Sequence, residues 1–159
     1  MDATRIVLVG AGGYASTYVD ATLRMRPRRP VAVVGIVDPY VSSSKTFELI
    51  REKGVPVYAA VEDFYARAQA DLAVISTPLQ FHVEQAIHCL EHGSHVLLEK
   101  PIAPNMELAR KLMDVRDATG RTLAIGYQWC YDPAMLRLKA DVDAGVLGAP
   151  KRLRAFSLL

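Results

Sequence analysis

Two stretches of this 159-residue chain carry residues whose types and order suit chemistry at the end of a strand. In VLVGAGGYA, Gly10, Gly12 and Ala15 close an apolar run and open an amphipathic one, with the spacing G-x-G-x-x-A. Such a turn lets a pyrophosphate approach the backbone. Gly10 permits the tight turn, Gly12 removes the side chain that would block the phosphate, and Ala15 lets the helix pack close to the strand. The helix start adds amides and partial positive charge, so Gly13 and Tyr14, which complete the turn, belong to the same candidate cradle. In SHVLLEKPIA an apolar run stops on Glu99, Lys100 and Pro101. An ammonium at a cleft mouth can hydrogen-bond a hydroxyl or ketone oxygen and hold negative charge while hydride moves. Glu99 can fix that lysine or line a ribose, a solvated Glu-Lys pair at a strand end is the alternative reading, and Pro101 ends the strand.

A second acid supports the glycine turn. Asp38 ends the next apolar run, about 20 positions on, where a carboxylate accepts from ribose hydroxyls and repels a 2′-phosphate. Pro39 follows it, not an arginine, so NAD is expected in preference to NADP. Ser42, Ser43, Ser44 and Lys45 offer an alternative phosphate pocket, but a helix start is the simpler reading of them. Thr77 and Pro78 end a further run and are expected to wall the same crevice; His82, in the first turn of the helix that follows, reads either as facing the cleft or as a surface histidine.

The elements that must position these residues alternate. Continuous apolar runs at 4–10, 31–38, 55–59, 71–77, 95–99 and 122–127 read as strands covered on both faces. Between them, 14–25, 42–54, 61–68, 79–93 and 105–120 read as helices, with Ser starting the second, Asn105 capping the last and glycines stopping several. This is an α/β chain with a doubly wound parallel sheet, a Rossmann fold. Residues 1–126 are expected to form the dinucleotide-binding domain. Residues 127–159 are expected to form a crossover helix, stopped at Gly145, and a last strand at 151–159 left as an open edge.

Composition narrows the classes. The chain is 51% hydrophobic and 23% charged, with a formal net charge of +2. Without a basic stripe, nucleic acid is not an expected partner. No apolar run approaches the ~20 residues of a bilayer span, and the start carries no secretory pattern. Cys89 and Cys130 are too far apart for metal-ligand spacing, so no metal is expected and a reduced, cytoplasmic protein is the simple reading. The arginine-rich stretch 24–30 reads as a solvated loop.

Taken in order, GAGGYA, GIVDP, STPLQFHVEQAIHCLEHGSHVLLEKPIA and GYQWCYDPAMLRLKADVDAGVLGAP resemble the glucose–fructose oxidoreductase / inositol dehydrogenase (Gfo/Idh/MocA) family over nearly the whole chain. The resemblance implies an NAD(P)-dependent oxidation or reduction of a sugar, polyol or related hydroxyl compound. Lys100 matches the motif lysine near substrate and nicotinamide, and the Lys100–Pro101 bond becomes a candidate for the cis form. Gly10, Gly12 and Asp38 match cofactor positions; Thr77, Pro78, His82 and Glu99 match positions lining the cleft. Where the family often shows an Asn-Arg-like pair, this chain has Gln128 and Trp129. The Gln128 amide can still serve substrate or nicotinamide, Trp129 can form an apolar wall, and Cys130 reads as a small packing residue.

The resemblance also implies a second α/β domain with the remaining catalytic Asp and His. The 159 residues lack it, with KRLRAFSLL reading as its truncated first strand. Dinucleotide binding with little or no turnover is therefore expected of these residues alone, and self-association through 151–159 into a homo-oligomer is expected. Two further readings stay open: an NAD-dependent glycoside-cleaving relative, and a non-catalytic dinucleotide sensor module.

Overall fold

The computed structural model describes residues 3–24, 30–149, 152 and 154. The chain forms two compact units, Met1–Gly126 and Tyr127–Leu159.

In the first unit, six strands form one parallel sheet: β1 (Thr4–Val9), β2 (Val31–Val37), β3 (Val57–Tyr58), β4 (Leu72–Ile75), β5 (His95–Leu98) and β6 (Leu123–Ile125), in the order β3-β2-β1-β4-β5-β6. The connecting helices are α1 (Ala15–Arg24), α2 (Phe47–Glu52), α3 (Val61–Tyr65), α4 (His82–Glu91) and α5 (Met106–Thr119). Strand side chains alternate between two cores. Val7, Val9, Val37, Ala73, Ile75, Val96 and Leu98 pack with Phe64 and Tyr65 of α3, Val83, Ala86, Cys89 and Leu90 of α4, and Leu112 of α5. Ile6, Leu8, Ile36 and Val74 point to the other face, with Val19 of α1 and Ile50 of α2. Burial on both faces explains why the strands read as unbroken Val/Ile/Leu runs. The strand order reverses between β1 and β4, where ligands of open α/β sheets bind.

The elements match the expected ones, with shifted boundaries. The helix expected over 42–54 is shorter: Val41–Ser43 is a 3₁₀ turn and α2 begins at Phe47. No serine caps it, because the Ser44 hydroxyl donates instead to the Ala11 carbonyl at 2.6 Å. The helix expected over 79–93 likewise opens with a 3₁₀ turn, Leu79–Phe81. Asn105 does cap α5, its side-chain oxygen accepting from the Leu108 amide at 2.9 Å, and Gly120 closes that helix at φ 64°. Among the described residues no helix is long and apolar enough to cross a membrane. Most of the arginine-rich loop, 25–29, lies outside the described residues.

The second unit holds a 3₁₀ turn, Gln128–Tyr131, and α6 (Pro133–Asp143). Asp132 caps α6, accepting from the Ala134 amide at 2.9 Å and the Met135 amide at 3.2 Å. Trp129 and Cys130 are exposed, so the packing role expected of Cys130 is corrected. The strand expected at 151–159 lies outside the described residues, except Arg152 and Arg154, which adopt no regular structure.

Helix α4 ends in a histidine stack. The His88 and His92 rings lie 4.0 Å apart at 20°, with the Tyr65 ring 5.6 Å from His88. The His88 Nε2 is buried with no hydrogen-bond partner. Burial, then the neighbouring His92, hold the His88 pKa below its ordinary 6.5. The native state therefore binds this proton less readily than the unfolded chain. The stability it contributes is complete above about pH 6.5 and is lost as pH falls through the depressed native value. Urea midpoints at about pH 7.5 and about pH 5.5 check this. The parent chain is expected to lose more stability between the two than His88→Phe; equal losses would contradict it.

Candidate functional site

The sheet register brings the candidate residues to one rim. Val9 pairs with Val37 on one side and Ile75 on the other, and Ile75 pairs with Leu98. The ladder runs one residue further. Gly10 N donates to Val37 O at 2.8 Å, Ser76 N to Val9 O at 2.9 Å, and Glu99 N to Ile75 O at 2.8 Å. Gly10, Asp38, Ser76 and Glu99 are thus the first residues past four adjacent strands. With strands about 4.8 Å apart, the β1 and β5 tips are about 10 Å apart along this edge.

Gly10 is held at φ 98°, and a Cβ there would lie 2.8 Å from the Ser76 carbonyl oxygen. The turn after β1 therefore presses on the β4 tip in a way that no larger residue permits. Gly12 differs. Its φ is not positive, and an added Cβ would meet nothing within 4 Å. Nothing inside the chain requires a glycine there, so its open, exposed backbone fits a group that approaches from outside, as a pyrophosphate does. Gly13, at φ 50°, and the exposed Tyr14 complete the turn, and Ala15 is buried as the first residue of α1.

Asp38 is half-buried and anchored. Its carboxylate accepts from Ala11 N at 2.8 Å and from Tyr40 N at 2.8 Å. Two accepted bonds leave lone pairs for a ribose diol, and the anchoring fixes where they point. The alternative phosphate pocket is not assembled around Ser44. Its hydroxyl is committed to Ala11 O, while the Thr46 amide reaches the Ser44 oxygen at 3.2 Å.

Glu99 answers to the protein rather than to the cleft. It is 8% exposed. Its carboxylate accepts from the Tyr18 hydroxyl at 2.7 Å and from the Lys100 amide at 3.0 Å. A Cβ on Gly126 would come within 2.9 Å of it, so β6 closes the remaining side. Burial, then the Glu99 hydrogen bond, raise the Tyr18 pKa well above its usual range, and the phenol stays a donor. Glu99 thus ties α1, the β5 tip and the Lys100 backbone together. Lys100 itself is exposed at the rim, and the Lys100–Pro101 bond is cis, as the family resemblance implies.

Thr77 is half-buried, and its hydroxyl donates to the Gln85 side-chain oxygen at 2.6 Å; Pro78 is exposed beside it. His82 is buried, with 2% exposure, so it is not a surface histidine. Its ring nitrogens face two backbone carbonyls, Thr77 O and Pro101 O, each at 2.9 Å. The sheet edge therefore gathers Gly10, Gly12, Gly13, Tyr14, Ala15, Asp38, Thr77, Pro78, Glu99 and Lys100. Gln128 belongs to the second unit, in its 3₁₀ turn. Sequence reasoning missed Tyr18 and Gln85, and read Ser44 as a helix start or phosphate ligand when its hydroxyl serves Ala11. Tyr18 was legible only as one residue of an amphipathic helix, since its partner lies 81 positions away.

Comparison with known proteins accords with this geometry. Residues 4–127 match the family model described as "Oxidoreductase family, NAD-binding Rossmann fold". The rhizopine catabolism protein MocA of Rhizobium meliloti is 30% identical over 144 residues, 91% of this chain and 44% of that protein. The inositol 2-dehydrogenase of Rubrobacter xylanophilus is 28% identical over 98% of this chain and 44% of its own length. The WlbA dehydrogenase from Bordetella pertussis, solved in complex with NADH and UDP-GlcNAcA, superposes with a TM-score of 0.80 at 24% identity, covering 92% of this chain and 44% of that one. The chain spans less than half the length of these relatives. With a glycine turn, an anchored acid and an exposed lysine on one rim of a β3-β2-β1-β4-β5-β6 sheet, the chain belongs to the Gfo/Idh/MocA oxidoreductase family.

Proposed function

We propose that this chain is the nucleotide-binding half of an NAD-dependent dehydrogenase acting on a CH–OH group of a polyol, a sugar or a related hydroxylated compound. The observation that carries the reading is the shared rim: Gly12, Asp38 and Lys100 follow the ends of β1, β2 and β5, which β4 joins in matched register. NAD, when bound, supplies the hydride acceptor. The residues present divide the remaining work. The turn at Gly10–Ala15 receives the pyrophosphate on its amides. Asp38 accepts from the adenosine ribose hydroxyls and disfavours a 2′-phosphate, selecting NAD over NADP. Lys100 donates to the substrate oxygen and stabilises its negative charge as the C–H bond yields hydride. The substrate class is inferred from the inositol 2-dehydrogenase and MocA relatives. The rest of the pocket and the proton acceptor are assigned to a second domain of the kind those longer relatives have room for, so these residues alone bind dinucleotide and turn over little.

Calorimetric titration of the chain with NAD and NADP tests the binding half. NAD is expected to bind more tightly than NADP. Gly12→Ala is expected to weaken NAD by at least about tenfold, about 1.4 kcal/mol, while unfolding stability moves by no more than about 0.5 kcal/mol. Equal NAD affinity in the variant, or a preference for NADP, would contradict the cradle or the role of Asp38.

Turnover tests Lys100 in the complete gene product, with inositols and hexoses as substrates and NADH formation as the readout. Lys100→Ala is expected to lower kcat by about 10²–10⁴-fold with NAD affinity retained. Undiminished kcat would remove Lys100 from the chemistry, and sugar release without net NADH would favour a glycoside-cleaving reaction.

A further inference from the structure

His82 sits where a ligand-facing histidine would be expected, yet its ring is buried and turned into the protein. Nδ1 lies 2.9 Å from the carbonyl of Pro101, and Nε2 lies 2.9 Å from the carbonyl of Thr77. Both partners are acceptors only. Thr77 opens the turn after β4, and its hydroxyl is tied separately to Gln85 of α4. Pro101 immediately follows Lys100, whose amide is held by Glu99 on the other side. One ring, rooted at the first residue of α4, therefore spans the gap between the two turns that flank the crevice.

We propose that His82 is a positioning residue. Its buried ring spans from Pro101 O at Nδ1 to Thr77 O at Nε2 and donates to one of them, and so fixes the lysine-bearing turn after β5 relative to the turn after β4. In the neutral ring one nitrogen carries the N–H and donates, while the other packs against the second carbonyl. The ring nitrogens face those two carbonyls. Of the charged residues on the adjoining segments, Glu84 lies in the same first turn of α4, and Glu99 and Lys100 directly precede Pro101. Losing one link should release one turn and leave the other in place, which a general packing role would not do.

The two links separate by substitution, because an asparagine amide nitrogen falls near the position of histidine Nδ1 and a glutamine amide nitrogen near that of Nε2. Backbone amide spectra of the 159-residue chain without ligand supply the first readout. His82→Asn is expected to keep the Lys100–Ala103 signals near their parent positions and shift those of Thr77 and Leu79. His82→Gln is expected to do the reverse, and His82→Leu to shift both groups. Variants that shift both turns alike would overturn the proposal.

The consequence for the cleft rests on the dinucleotide reading above. Titration with NAD is expected to show at least tenfold weaker binding by His82→Leu, with partial recovery in His82→Asn or His82→Gln. Unchanged NAD affinity in His82→Leu would overturn the positioning role. A parent chain that failed to bind NAD would instead count against the dinucleotide reading, and the ligand-free spectra would still decide the two-turn link.

Discussion

The structure depends on one constraint, the register of a parallel sheet. Parallel pairing with the strands in step makes neighbouring chains leave the sheet at the same height and in the same direction. Here the alignment of Val9 with Val37 and Ile75, and of Ile75 with Leu98, puts four separate sequence segments onto a single edge. A one-residue slip would turn each strand's side chains to the opposite face. The two cores forbid it: Val7 and Val9 belong to one and Ile6 and Leu8 to the other. Hydrophobic packing therefore sets the placement of the polar residues before any of them makes a contact.

The second level of order is a set of polar ties that hold the loops once the strands have delivered them. Asp38 grips the backbone amide of Ala11, and Ser44 grips its carbonyl, so the loop after β2 braces the glycine turn from both sides. Glu99 accepts from Tyr18 and from the Lys100 amide, linking α1 to the β5 tip. A buried carboxylate with two donors is far less costly than one without them, and it converts a charged residue at a strand end into a fastening. The side chains left facing outward, those of Tyr14, Pro78 and Lys100, rest on this braced frame. A site that positions reactants benefits from such rigidity, because orientation is a large part of catalysis.

Much of this was legible in the sequence, for physical reasons that vary by residue. The strands declared themselves because burial on both faces demands unbroken apolar runs. Asn105 was legible because a cap needs only local geometry, and Gly10 because its turn is local as well. Glu99 was harder. A carboxylate beside a lysine reads equally as a ribose ligand or a solvated pair, and only the long-range contact with Tyr18 shows it to be buried. His82 is a similar case, since the carbonyls it faces belong to turns 5 and 19 positions away. Ser44 misled the reading of α2, because its hydroxyl serves Ala11 and not its own helix. In each instance local chemistry gave the residue's capacity, and tertiary packing decided where that capacity was used.

The most direct measurement is a map of backbone amide shifts on titrating the chain with NAD. Perturbations are expected along the carboxyl rim, at Gly10–Ala15, Asp38–Tyr40, Ser76–Thr77 and Glu99–Lys100, with the opposite strand ends at Thr4, Val31, Asp71 and His95 unmoved. Shifts concentrated at those opposite ends, or an undisturbed glycine turn under saturating NAD, would contradict the account.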